Sequence, residues 1–310
     1  MPPFFSGDLA AAEDAFKTLT LDDLCRFLEN PCQYILQKRL GVYFDAAEDL
    51  IEDREPFALA GLERYTVEQE LLDRRLAGAD AEELYPSVRA QGLLPHGMVG
   101  ELVYDASVGK IDDFIEQITP YRAHASAEPV PLVLPVEQFT LAGTLSAVNS
   151  GTLVMYRYAR AKPKDFLRAW IYHLTLCASG TGDRTLLFAL DAKDSQPAGW
   201  QFSRIDDAEL LLGSLLDLYW QGLHRPLPLF PKASFAFADK LLGKNGDEQK
   251  ALQAALDTFE GNDFTGGGDA SDPYINICFP DNEFDEKAFM DLARSVYMTM
   301  MDHREKPEGE

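Results

Sequence analysis

Apolar residues recur every three or four positions through the first third of the chain, which is the spacing of helices that bury one face. Thr20 is suited to cap the first of these helices. The apolar stripe of that helix is formed by Leu24, Phe27 and Leu28. Pro31 cannot lie inside it, but suits the first position of a second helix that Asn30 would cap. The pattern therefore predicts two helices with a tight break between them, the second ending at Gly41.

The helical pattern continues towards the middle of the chain. Residues 45–56 are an acidic stretch and are predicted to be a loop, whereas 57–90 is predicted to be mostly helical. Pro86 limits the length of the helix that contains it, because proline interrupts the hydrogen-bond ladder. A further helix is predicted from Gly97 to about Ile118.

The pattern changes at Pro129, where β-branched and aromatic residues predict strands. A turn signal, Asn149-Ser150-Gly151, separates two such runs, so a hairpin is predicted over about 136–148 and 152–159. The next predicted elements are a helix over 164–178, strands over 185–190 and 199–205, and a helix over 206–223. Two more helices, separated by a glycine-rich loop, are predicted over about 246–260 and 284–302.

This order predicts an α/β fold, a mixed sheet with helices packed on its faces. We divide the chain into a lead-in, a mainly helical part, an α/β core and a C-terminal helical part. The corresponding ranges are 1–18, 19–128, 129–230 and 231–310.

The net charge of the chain limits the kinds of partner it can bind. The 310 residues carry a formal net charge of −23, so the chain as a whole repels phosphate, and any nucleic-acid contact must be local or depend on a partner. Solubility is the simplest reading of this acidity. One basic cluster stands out, made of Arg157, Arg160, Lys162, Lys164 and Arg168. It could contact DNA phosphates or an acidic partner surface, or it could be a solvated loop and helix start.

Several classes of site are absent from the sequence. The four cysteines form no CxxC pair, there is no P-loop, HExxH or GxSxG motif, and neither a metal site nor a cofactor is predicted. His173, beside Trp170, is predicted to be a packed or solvent-tipped histidine rather than a general base. No run of apolar residues reaches membrane-spanning length and the N-terminus lacks signal-peptide character, so a cytoplasmic protein is predicted.

The strand and helix of 153–174 have the layout of a metal-dependent nuclease, without its chemistry. Such a nuclease needs carboxylates that hold metal ions and a lysine nearby, yet the two positions on the strand are Tyr156 and Tyr158. A phenol with its normal pKa is a poor magnesium ligand. Ser146 stands on the preceding strand where a carboxylate would be needed.

Two alternatives remain open. An active nuclease could use migrated ligands, for which the candidates are Glu101, Glu137 and Asp165. A single-strand-binding module could use exposed aromatic rings, for which the candidates are Tyr156, Tyr158 and Trp170. The first requires carboxylates that converge on one point, and the second requires rings on the surface.

Four stretches carry a family resemblance: "LTLDDLCRFLENPCQYILQKRLGVYF", "EPFALAGLERYTVEQELL", "LPHGMVGEL" and "LCASGTGDRTLLF". They resemble the C-terminal domain of RecC, the gamma chain of exodeoxyribonuclease V, from about Leu19 to the C-terminus. Members of that family are far longer and have N-terminal helicase-like domains. The chain is therefore expected to be a fragment or the product of a truncated gene.

The resemblance implies a restriction-endonuclease-like, PD-(D/E)XK fold that lacks catalytic residues. Active relatives have the motifs G-x-x-D and D-Y-K, and a histidine in a helix that starts G-x-x-x-H. Gly143 keeps the first glycine here. The positions of the catalytic groups are taken by Ser146, Tyr156, Tyr158 and Glu101.

The resemblance also implies partners. RecC holds RecB and RecD together, and its C-terminal domain lies near the point where the duplex is split. By this resemblance, RecB-like and RecD-like subunits, and DNA within the complex, are the expected partners. The basic cluster is the candidate contact.

Overall fold

The computed structural model describes residues 4–5, 7–44, 61–92, 94–121, 129–146, 148–191, 193, 195–244, 246–262 and 266–307, and only the backbone of 61–66, 262 and 266. The helices are α1 (Leu21–Glu29), α2 (Pro31–Tyr34), α3 (Gly61–Leu76), α4 (Ala81–Ala90), α5 (Met98–Ile118), α6 (Pro163–Ala178), α7 (Ala208–Gly222), α8 (Pro231–Leu242), α9 (Glu248–Glu260), α10 (Pro273–Cys278), α11 (Glu286–Ala293) and α12 (Thr299–Asp302). The strands are β1 (Thr18–Thr20), β2 (Val130–Val136), β3 (Phe139–Leu145), β4 (Val148–Asn149), β5 (Thr152–Arg160), β6 (Arg184–Leu190), β7 (Pro197–Phe202), β8 (Gly261–Asn262), β9 (Gly266–Gly267) and β10 (Arg304–Glu305).

The first helices form as their caps predict. The Thr20 side chain accepts a hydrogen bond from the Asp23 backbone N at 3.0 Å, and the Asn30 side chain accepts one from the Gln33 N at 2.9 Å. These bonds satisfy backbone donors that a helix start leaves without partners. The second helix widens into a π-helical turn, Ile35–Arg39, before the chain leaves it. The predicted break between two helices is confirmed.

The strands divide between two mixed sheets. The three-stranded sheet has the order β1-β3-β2, with β1 parallel and β2 antiparallel to β3. The five-stranded sheet has the order β10-β7-β6-β5-β4, in which β5 and β6 are parallel and the other pairs antiparallel. The α/β class is confirmed, although two mixed sheets replace the one that was predicted. A separate two-stranded ribbon pairs β8 with β9.

The predicted hairpin over 136–148 and 152–159 is wrong in its pairing. The turn at Ser150 and Gly151 forms with both residues at positive φ, but it joins β5 only to the two residues of β4. β3 instead pairs along its whole length with β2. Because β2 is an edge strand, it tolerates Pro131 and Pro135, which have no backbone N–H to donate to a neighbouring strand.

The C-terminal part holds more helices than predicted. The predicted helix over 246–260 is confirmed as α9, whereas α8 and α10 were missed. The predicted helix over 284–302 is continuous through α11, a π-helical segment Arg294–Met298, and α12.

The core consists of three apolar clusters, two of which meet at β5. The largest cluster lies between α1, α6, α7 and both sheets and includes Leu153 of β5. A second cluster lies under α3, α4 and α5 and includes Val154 and Tyr158 of the same strand. The third joins α2 to α8, α9, α10 and α11. Both faces of the five-stranded sheet are therefore covered by helices at β5.

Candidate functional site

The two tyrosines of β5 lie in the apolar cluster under α3 to α5. Tyr158 is 4% exposed, and its ring meets the ring of Phe114 edge-on, with centroids 5.3 Å apart. The backbone N of Tyr158 donates to the Gln69 side chain at 3.4 Å. Tyr156 is half-buried and packs against the same cluster. The strand face that would carry an acid and a lysine in a nuclease is thus filled by aromatic packing.

The other two positions that the resemblance predicts to be degenerate lie elsewhere. Ser146 is exposed just beyond the end of β3, which belongs to the three-stranded sheet. Glu101 is exposed in the first turn of α5, where it lines a groove with Tyr85 and Tyr104 at the edge of the cluster that this helix covers. The structure therefore brings Tyr156 and Tyr158 together on one face, while Ser146 and Glu101 point into solvent.

The candidate migrated ligands do not form a metal centre. Glu137 is exposed in the tight turn between β2 and β3, where its φ is 50°. Asp165 is held by Arg157 at the start of α6, and Glu101 stands on α5. Among the described residues, no group of three or more histidine, cysteine, aspartate or glutamate side chains is placed to hold a metal ion. The convergence that this alternative requires is therefore not present there.

The alternative of a surface aromatic platform fails for two of its three candidate rings. Trp170 is 1% exposed, and its ring lies 5.4 Å from that of Phe202 and 5.2 Å from that of His303. Because Tyr158 is also buried, two of the three candidate rings cannot stack on a base.

His173 is packed, as predicted. Its ring nitrogens lie 3.0 Å from the Thr185 hydroxyl and 3.0 Å from the Ser203 carbonyl oxygen. Burial lowers the pKa of His173 to about 4, because the charged ring would lose its hydration. The imidazole is therefore a neutral core group at physiological pH.

Within the basic cluster, Arg157 forms an ion pair that stabilises the fold. Its guanidinium donates to both carboxylate oxygens of Asp165, at 2.8 and 3.0 Å. Asp165 also accepts from the backbone N of Lys162 at 2.8 Å, which closes the first turn of α6. One carboxylate thus joins β5 to the start of the helix that follows it.

Arg168 fixes α6 to α1. Its guanidinium lies 2.9 Å from an Asp22 oxygen and 3.0 Å from a Glu29 oxygen. The hydrogen bond from Arg168 is the main reason why the pKa of Asp22 lies below its usual value. This arginine therefore holds two helices together across the main core.

Three cations of the cluster remain exposed. Arg160 donates to the Ser195 hydroxyl at 2.9 Å on the surface, and Lys162 and Lys164 are exposed at the start of α6. The basic surface is consequently smaller than the sequence suggested.

The structure also shows a surface that our sequence reasoning missed, at the beginning of α5. Met98, Val99 and Leu102 are among the most exposed large apolar side chains of the described residues. The signal in the sequence is that "GMVGELVYDASVG" holds more apolar residues than one helix face can bury.

None of the helices in the described ranges combines the length and apolar character that crossing a bilayer requires.

Comparison with known proteins identifies the family. A family model described as the RecC C-terminal domain matches residues 16–242. The chain belongs to this family. It is 30% identical over 256 residues to the RecBCD enzyme subunit RecC of Escherichia coli (strain K12), which covers 79% of the chain and 22% of that relative. It is 28% identical over 289 residues to the same subunit of Mycobacterium tuberculosis (strain CDC 1551 / Oshkosh), covering 92% of the chain and 26% of the relative.

The RecC C-terminal domain match covers the features described above. It includes β1 to β7 and α1 to α8, hence Glu101, Ser146, Tyr156, Tyr158 and the basic cluster. The RecC subunit of Haemophilus influenzae (strain ATCC 51907 / DSM 11121 / KW20 / Rd) is 25% identical over 173 residues, 54% of the chain and 15% of that relative. The chain thus spans about a quarter or less of the length of these relatives.

Proposed function

We propose that this chain is a non-catalytic structural and interaction domain of a RecC-like subunit. In this role it holds RecB-like and RecD-like subunits and guides DNA during double-strand break processing in the cytoplasm. The support is membership of the RecC C-terminal domain family, together with relatives that are named RecBCD enzyme subunits.

The non-catalytic part of the proposal rests on β5. A two-metal nuclease needs oxygen anions that reach the ions and a cation that stabilises the developing charge. Tyr156 and Tyr158 supply neither, and Tyr158 is buried against Phe114. The domain is accordingly a nuclease-like body whose catalytic face has become part of its core.

A degenerate PD-(D/E)XK core agrees with the topology around that strand. β5 and β6 are parallel neighbours joined by α6, and the sheet they belong to is mixed. This is the arrangement that lets one helix cover one face of the sheet while other helices cover the opposite face.

Contact with DNA or an acidic partner surface is assigned to the exposed part of the basic cluster. Arg160, Lys162 and Lys164 lie together on the surface between β5 and α6. Arg157 and Arg168 act indirectly, by holding this segment to Asp165 and to α1. Such a contact would weaken steeply with salt, because it depends on charge.

The test of the proposed function is a cleavage assay with the purified chain. End-labelled linear duplex and single-stranded DNA are incubated with magnesium or manganese, and a Glu101→Ala protein serves as the matched control. We expect no metal-dependent cleavage by either protein above background. Metal-dependent cleavage that disappears in the Glu101→Ala protein would overturn the proposal.

A further inference from the structure

The first half of α5 turns large apolar side chains into solvent. Met98 is 76% exposed, Val99 56% and Leu102 64%. The opposite face of the same helix already fills the core through Tyr104 and Phe114. The exposed side chains therefore contribute little to this chain's own fold, and contiguous exposed apolar surface of this kind marks an interaction site.

Gly109 lies on the same face of α5, at a position where glycine is unexpected. It is inside α5, where glycine destabilises a helix relative to alanine. Among the described residues, a Cβ built at Gly109 would meet no atom within 4 Å, so neither packing nor a turn in that part of the chain requires glycine. With the exposed Ala106 it extends the face of Met98 and Leu102 as a shallow strip. Small residues there would let a second helix approach closely, because the side chains at a contact set the distance between helix axes.

Acidic groups border this surface on one side. Glu101 and Asp105 are exposed on α5 and line a groove between α4 and α5 together with Glu82. The aromatic side of the groove is formed by Tyr85 and Tyr104, whose rings meet edge-on with centroids 5.0 Å apart. Carboxylates beside aromatic rings suit the head and the stem of a lysine or arginine. Among the exposed residues of the described α5, Lys110 is the one cation.

We propose that the first half of α5 is a docking surface for a basic amphipathic helix of a partner protein. The apolar ridge of that helix would lie over Met98 and Leu102 and come closest to α5 at Gly109. A lysine or arginine on its flank would enter the groove lined by Glu101 and Asp105. This inference rests on the proposed function insofar as the partner is a RecB-like or RecD-like subunit.

Charge decides between possible occupants. Nucleic acid would be repelled by the acidic border. A second copy of the chain would bring the same carboxylates against it, and like charges placed opposite each other oppose association. The segment 45–56 of this chain is itself acidic and has the wrong charge. A cationic helix is the occupant that both the apolar strip and its border fit.

Three variants test the surface. Gly109→Leu fills the strip at a position where a Cβ meets no atom of the described residues, so we expect Tm to rise by about 1–3 °C while docking is blocked. Leu102→Glu removes an apolar anchor and adds a negative charge. Leu210→Glu is the matched control, because Leu210 on α7 is 65% exposed, against 64% for Leu102.

The first measurement is binding of the full chain to co-expressed RecB-like and RecD-like subunits. Gly109→Leu and Leu102→Glu should each weaken binding by about 10-fold or more, with Leu210→Glu unchanged. Wild-type affinity in both α5 variants would overturn the docking surface while leaving the proposed function standing. A wild-type chain that binds neither subunit would count against the proposed function, and the second measurement then decides the surface alone.

The second measurement uses a defined probe, a helical peptide of about 20 residues with a leucine ridge and arginine flanks. A peptide with the same leucines and glutamate flanks is the control. Docking predicts that Gly109→Leu and Leu102→Glu both weaken binding of the arginine peptide. Non-specific attraction to an acidic protein predicts the opposite for Leu102→Glu, tighter binding, and no change for Gly109→Leu. Three results would overturn the proposal. They are the pattern expected for non-specific attraction, equal binding of the two peptides, and self-association of the chain that is lost in Gly109→Leu.

Discussion

In the segment 157–168 and in the first half of α5, side chains lie in places that the local composition does not suggest. The segment is rich in cations, yet Arg157 and Arg168 point inward to carboxylates of the same chain. The beginning of α5 is rich in apolar residues, yet Met98 and Leu102 point outward. A charged run is thus partly built into the fold, and an apolar run is partly left open.

The difference has a simple electrostatic basis. The chain holds 51 acidic residues and 28 lysines and arginines, so any cation is surrounded by potential partners within the chain. Local charge counting therefore overestimates how much positive surface is free. An apolar side chain has no such partner once the helix face beneath it is filled, and its exposure is the more informative observation.

The largest effect that separates the two regions is expected from Tyr158→Lys. This substitution introduces the lysine that the proposed correspondence with active nucleases calls for, but it places a charge in the cluster under α3 to α5, where Tyr158 is 4% exposed. We expect the free energy of unfolding to fall by about 3–5 kcal/mol and no DNA cleavage to appear. Urea denaturation measures the loss. Part of it should be recovered as pH rises towards 10, because burial favours the neutral amine.

The control for this prediction is Tyr158→Phe. It keeps the ring that packs against Phe114 and should cost about 1 kcal/mol or less. A Tyr158→Lys protein as stable as wild type would mean that β5 opens to solvent there, so that the face carrying Tyr156 and Tyr158 is accessible.

Asp165→Ala should have the next largest effect. The change removes the carboxylate that Arg157 contacts at 2.8 Å and the acceptor for the Lys162 backbone N. Because both side chains of this ion pair are largely buried, we expect a loss of about 2–3 kcal/mol in the free energy of unfolding. Asp165→Asn keeps an acceptor for the helix start and should lose about half as much. Equal stabilities for wild type and Asp165→Ala would show that the Arg157–Asp165 pair adds nothing to the stability of the fold.

The buried His173 gives the fold a dependence on pH. Its pKa is lowered to about 4 from a usual 6.5, so its contribution is present above pH 6.5 and is lost as pH falls through 4. Between pH 7.5 and pH 5 this amounts to about 2 kcal/mol in the free energy of unfolding. A His173→Gln protein, unfolded in urea at both pH values, should lose correspondingly less on acidification. The same loss in both proteins would show that other groups control the acid response.

Much of the fold is predictable from local pattern, and the failures have physical causes. The caps at Thr20 and Asn30 predict their helices because the bonds they make are local. α8 was missed because its start is stabilised from far along the chain: Asp269 accepts from the Ala233 backbone N at 2.8 Å. Burial raises the pKa of Asp269 to about 6, a cost that no local pattern reveals.

The roles of the predicted site residues stay predictions, whereas their surroundings differ from what the sequence suggests. The sequence identifies tyrosines where a nuclease needs charge, but burial of Tyr158 and Trp170 depends on α5, β7 and the C-terminal residues that cover them. The pairing of β3 with β2 was missed because a turn signal specifies a reversal and not which longer strand becomes the partner.

The smallest expected effect on stability comes from neutralising Arg160, Lys162 and Lys164 together as glutamines. All three are exposed, so we expect a change below about 0.5 kcal/mol in the free energy of unfolding. Arg168→Gln is the contrasting variant and should cost about 1 kcal/mol or more, because it breaks contacts with Asp22 and Glu29.

Binding by the two variants is expected to show the reverse order. If the exposed cations contact DNA or an acidic partner surface, the triple variant should lose affinity and reduce the salt dependence of assembly, whereas Arg168→Gln should leave both near wild type. Titrations of assembly with RecB-like and RecD-like subunits and DNA at several salt concentrations separate the two variants. An unchanged salt slope in the triple variant would leave the first half of α5 as the stronger candidate contact.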